Sequence, residues 1–71
     1  MSDTLLLIED EPLLAAELAR HFQRNEWNVV RCDTLAAARR VLLDEELTPL
    51  VVLSDMNLPD GNALDLLAEV R

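Results

Sequence analysis

A chain of 71 residues can bury only a thin core, since a domain near this size hides about 60% of the surface its unfolded chain exposes. Its 14 acidic against 6 basic residues give a formal charge of −8, which disfavours direct nucleic-acid binding and makes a cation the more natural guest. The composition is globular, the single cysteine excludes an intrachain disulfide, and no apolar run reaches the roughly 18 residues of a membrane span, nor does the N-terminus read as a signal peptide, so the chain reads as soluble and cytoplasmic.

Thr4 to Ile8 is a short continuous apolar run that stops at Glu9-Asp10-Glu11-Pro12. It reads as a buried strand followed by a turn. Pro12 suits the first turn of a helix, where its missing N–H costs nothing, and Glu9 and Glu11 sit near the helix's positive end. The helix is expected from Pro12 to Arg24, with Leu14, Leu18 and Phe22 as its inward stripe beside Ala15 and Ala19. Asn25 is the expected left-handed residue that closes it. His21 is read as a surface residue.

Trp27 to Cys32 alternates more, as suits an edge strand with one face partly wet. Cys32 is read as a small buried hydrophobe at that strand's end. Asp33-Thr34 offers a cap for a second helix over Leu35 to Glu46, with Ala38, Val41 and Leu42 inward and Arg39, Arg40, Asp44 and Glu45 outward. Thr48-Pro49 ends it. Leu50 to Leu53 lacks polar alternation, the mark of a strand buried on both faces, and it ends in Ser54-Asp55. After the turn Leu58-Pro59-Asp60-Gly61 a third amphipathic helix is expected over Asn62 to Arg71, capped by Asp60, Gly61 or Asn62. Strand and helix alternate three times, which implies right-handed parallel crossovers and an α/β sheet.

Two strands therefore end in acid, the first in Glu9-Asp10 and the third in Asp55. In open α/β sheets the site lies beyond the carboxyl ends of the strands, so neighbouring strands would bring these carboxylates together. Converging carboxylates repel unless a cation neutralises them, and hard oxygen ligands with room for water are the surroundings Mg²⁺ accepts. The competing explanation is a solvated turn whose acids only cap the first helix.

Leu5-Leu6-Leu7-Ile8-Glu9-Asp10-Glu11, then Pro49-Leu50-Val51-Val52-Leu53-Ser54-Asp55, then Met56-Asn57-Leu58-Pro59-Asp60-Gly61 closely resemble the receiver domain of two-component response regulators. The resemblance covers the whole chain. It implies a flavodoxin-like fold in which Asp55 accepts a phosphoryl group from a phosphohistidine of a sensor histidine kinase. It also implies Mg²⁺ held by the carboxylates of Asp10 and Asp55, by Glu9 directly or through water, and by the backbone carbonyl of Asn57. A receiver is a signalling module rather than an enzyme.

The family continues with two further strand-helix units, whose strands end in a Ser or Thr and in a Lys; neither is present here. The expectation is a partial receiver domain over residues 1–71, three parallel strands in the order 2-1-3 with three helices and no output domain. Its third strand would be a bare edge open to self-association. Two other functions compete. Asp55-Met56-Asn57 faintly resembles the nucleophile motif of haloacid-dehalogenase-like phosphohydrolases, although that motif ends the first strand and carries a second Asp. The chain could instead be a structural, self-assembling half-fold without phosphotransfer.

Overall fold

A computed structural model describes residues 3–55 and 57–70 and places three parallel strands in one sheet. These are β1 (Thr4–Ile8), β2 (Asn28–Cys32) and β3 (Val51–Ser54), in the order β2-β1-β3. The connections carry α1 (Pro12–Arg24) and α2 (Leu35–Arg39), and α3 (Ala63–Val70) follows β3. Sheet order, strand sense and helix number are those expected from the sequence.

β1 lies in the middle because it has no polar face to offer water. Leu6 and Ile8 enter the core that Leu35, Ala38 and Leu42 share with Leu66 of α3, while Leu5 and Leu7 enter a second core with Ala15 and Ala19 of α1. Pairing on both sides sets Leu6 between Val30 and Val52. A strand covered on both faces reads as a continuous apolar run, and β1 is such a strand.

The inward stripe of α1 is centred on Ala15 and Ala19, with Leu18 and Phe22 half-buried beside them and Leu14 left largely exposed. Small residues at the centre let the helix lie close over Leu5 and Leu7, which moves the larger side chains to its flanks. Its end corrects another expectation: Asn25 has φ −96° and the left-handed residue is Glu26, φ 69°. The amide of Glu26 donates to the Gln23 carbonyl at 3.1 Å and that of Trp27 to the Phe22 carbonyl at 3.0 Å, a Schellman closure. Trp27 and Phe22 then pack in the same core. The Asn25 amide group is engaged one turn back, donating from Nδ2 to the His21 carbonyl at 2.9 Å. His21 is exposed, as expected, and meets the Phe22 ring edge-on.

The second helix does not run regularly to Glu46. After Arg39 it widens into a π-helical turn over Arg40–Asp44, closed by the Glu45 amide on the Arg40 carbonyl at 3.0 Å, and Glu46 turns left-handed at φ 55°. The acidic run Asp44-Glu45-Glu46 faces the negative end of the helix, which disfavours further turns there. Ala38 and Leu42 point inward and Arg39, Arg40, Asp44 and Glu45 outward, as the spacing implied.

β3 departs furthest from the expectation of burial on both faces. Leu50 is 68% exposed, Val51 39% and Leu53 36%. By register Val51 and Leu53 share the sheet face of Leu5 and Leu7, and a cleft lined by Leu14, Leu18 and Leu53 stays open between α1 and β3. Val52, on the opposite face, packs against the core beneath α2. The turn after β3 adds an element the sequence did not suggest, a short antiparallel hairpin of β4 (Asn57–Leu58) and β5 (Gly61–Asn62) around Pro59-Asp60.

Candidate functional site

Parallel pairing of β3 with β1 sets Ile8 opposite Ser54, so the next residues of both strands emerge side by side at one end of the sheet. The amide of Glu9 donates to the Cys32 carbonyl at 3.0 Å and that of Asp55 to the Ile8 carbonyl at 3.1 Å, which fixes both backbones. Carboxylate oxygens of Glu9, Asp10 and Asp55 consequently lie within 4.8 Å of one another. Glu9 is 9% exposed, and its Oε2 accepts from the Glu11 amide at 3.1 Å; Asp10 and Asp55 open to solvent.

Three like charges at this spacing repel one another, and burial of Glu9 removes part of the water that would screen them. The donor set consists of hard oxygens, two of its three carboxylates are exposed and leave room for water ligands, and it fits a Mg²⁺-type cation. Cys32, the nearby soft ligand, turns into the core, where burial, and then the charges of Asp33 and Glu45, push its thiol pKa up. Clefts flank the acids. One of about 370 Å³ is lined by Leu7, Leu14, Leu18 and Leu53 and reaches Glu9 and Asp55; another of about 360 Å³ runs from Glu9 and Asp10 to Arg31 and Asp33.

Asn57, the fourth expected ligand, begins β4 two residues beyond Asp55 with its backbone paired to Asn62. Its side chain, and all of Met56, lie outside the described residues.

The loop beyond Asp55 is tied down by a residue that sequence reasoning assigned elsewhere. Asp60 was one of three candidate caps for the third helix, and Asn62 takes that role, its Oδ1 accepting from the Leu64 amide at 2.8 Å. Asp60 reaches instead to α2, where Oδ1 accepts from the Leu35 amide at 2.8 Å and Oδ2 from the Ala36 amide at 2.9 Å. Thr34 takes the next amide, its Oγ1 accepting from Ala37 at 3.1 Å, and the Ala38 amide begins the helical ladder on the Thr34 carbonyl. Every free donor of the first turn is thus satisfied. The two amides at Asp60 hold its carboxyl below the usual carboxylate value. The contact is accordingly complete at neutral pH and is lost only as pH falls through that lowered value.

No protein-family model matches the chain. It is 35% identical over 72 residues to a protein of Mycobacterium tuberculosis described as a probable transcriptional regulatory protein, TcrX; the match covers 96% of this chain and 28% of that protein. Among solved structures it resembles the non-phosphorylated HemR receiver domain from Leptospira biflexa, with a TM-score of 0.79, 26% identity, and coverage of 97% of this chain and 54% of that one. The chain therefore spans about half of the receiver domain it resembles and less than a third of the regulator. Three parallel strands in the order 2-1-3 with helices between them are the corresponding part of a flavodoxin-like receiver fold.

Proposed function

We infer, starting from the receiver-domain character this chain shares with response regulators, that Asp55 is a phosphoacceptor. The observation that carries the reading is the convergence of Asp55 with Glu9 and Asp10 at the carboxyl ends of paired strands. A carboxylate oxygen of Asp55 would attack the phosphorus of a phosphohistidine on a sensor histidine kinase. The P–N bond breaks as the new P–O bond forms, and the imidazole leaves with the bonding electron pair. Asp10 and Asp55, with Glu9 behind them and the Asn57 carbonyl from the following loop, would hold Mg²⁺. Such an ion neutralises charge between the acceptor and the phosphoryl oxygens. The backbone bonds at Glu9 and Asp55 keep the acids in place before any ligand arrives. A phosphoprotein in a cytoplasmic phosphorelay, with no turnover of its own, is the role this chemistry fits.

Incubation with acetyl phosphate and Mg²⁺, followed by intact-mass measurement, tests it. A single phosphoryl adduct is expected on the native chain and none on Asp55→Asn. Release of inorganic phosphate with multiple turnovers would point to a phosphohydrolase, and an adduct that survives Asp55→Asn would remove the assignment.

The exposed third strand supports a second property, self-association. Among the described residues β3 pairs only with β1, so its outer edge offers unpaired backbone groups flanked by exposed Leu50, Val51 and Leu53. Apolar edges of this kind template pairing with another chain. Sedimentation velocity should show concentration-dependent association that Leu53→Lys weakens; a monomer at every concentration would rule it out.

A further inference from the structure

We infer that Asp60 is a positioning residue of the acidic site: by clamping the first turn of α2 it fixes the loop after Asp55 and, with it, the backbone of Asn57. The inference rests on the metal-site reading above. One carboxylate oxygen meets each of two successive amides, a two-point attachment that sets the carboxylate's orientation as well as its distance. The helix it holds is 25 residues away in sequence from Asp60, so this is a tertiary tie rather than a local turn. Two further features press the same loop onto the same helix. Leu58 is buried in the core that contains Leu35, and Gly61 passes so near that a Cβ there would come within 3.0 Å of Leu35 Cδ1. Attachment at Leu58, Asp60 and Gly61 leaves the β4–β5 hairpin little freedom, and Asn57 is its first residue. Outer residues that orient metal ligands affect affinity without touching the ion.

Thr34 provides the comparison. It caps the same turn through Ala37 but makes that bond from within the helix entry, without tying the loop. The experiment is a Mg²⁺ titration of the full chain, together with hydrogen exchange of the amides between Asn57 and Asn62, in the native protein, Asp60→Ala, Asp60→Asn and Thr34→Ala. Asp60→Ala should weaken Mg²⁺ about 10-fold or more and speed exchange in the hairpin, while Thr34→Ala stays within about two-fold of native in both. Asp60→Asn, which keeps one carbonyl acceptor, should fall between and serves if Asp60→Ala does not fold. Native exchange and affinity in Asp60→Ala would overturn the inference, as would a Thr34→Ala defect as large as its own. If the native chain itself fails to bind Mg²⁺, the metal reading falls, and hairpin exchange alone decides whether Asp60 holds the loop.

Discussion

Leu6→Ala should remove a large share of the chain's stability, whereas Leu13→Ala should be nearly silent. Leu6 is fully buried at the centre of β1, paired to Val30 on one side and Val52 on the other, and faces the larger of the two cores. Truncating a buried leucine costs about 2–5 kcal/mol through lost transfer energy and the cavity left behind. A domain of 71 residues has roughly 4–10 kcal/mol to lose, so the substitution removes about half of it at mid-range. Neighbours have little room to collapse into the gap, because Leu6 lies in a strand hydrogen-bonded on both edges and Ala38 of the same core is already fully buried. Leu13, 83% exposed on the outside of α1, buries almost nothing, and its loss should stay within about 0.5 kcal/mol. Urea unfolding followed by far-UV circular dichroism compares the two. Equal midpoints would mean that β1 is not the centre of the core.

What was legible beforehand follows from how local each signal is. β1 and α1 occupy the residues the sequence marked, because an uninterrupted apolar run and Pro12 at a helix start are signals carried by adjacent residues. The meeting of Glu9, Asp10 and Asp55 was legible too, since two strand ends carry acid and the sheet order puts those strands together. The burial of β3 is not legible in the sequence for the opposite reason. Val51-Val52-Leu53 resembles β1 in composition, and only what packs on each sheet face decides how much of it is covered. Asp60 was invisible as a cap for α2, because the amides it serves are remote in sequence and no spacing rule links them. The shift of the left-handed turn from Asn25 to Glu26 is also a tertiary choice, accompanied by the packing of Trp27 and Phe22 against one core.

These differences bear on the site. The acids are placed by strand pairing, which is cooperative and rests on the core around Leu6 and Ile8. Asn57 is placed by a two-residue hairpin whose own pairing is too short to persist alone. Its order must come from α2, through Leu58, Asp60 and Gly61. Phosphoryl transfer at Asp55, as proposed, would depend on two supports of unequal strength, the sheet for the carboxylates and a loop-to-helix attachment for Asn57.

Gly61→Ala strikes the weaker support, and its effect should be large for a single methyl group. Gly61 has φ +142°, a conformation L-residues avoid, and the added Cβ would meet Leu35 Cδ1 at 3.0 Å. Leu35 is buried against the helix-side core and has little freedom to withdraw. Backbone strain in this region costs on the order of 1–3 kcal/mol. For a domain of this size that lowers the thermal midpoint by roughly 4–24 °C. Relief by opening the hairpin would separate Asp60 from the α2 amides, so weaker phosphorylation of Asp55 should accompany the lower midpoint. A double-mutant cycle with Leu35→Ala divides the causes. If the clash dominates, Gly61→Ala costs much less once Leu35 is shortened; if the backbone dominates, the cost is the same in both backgrounds. No loss in either background would show that the turn relaxes freely and that its position at the site is not set by Gly61.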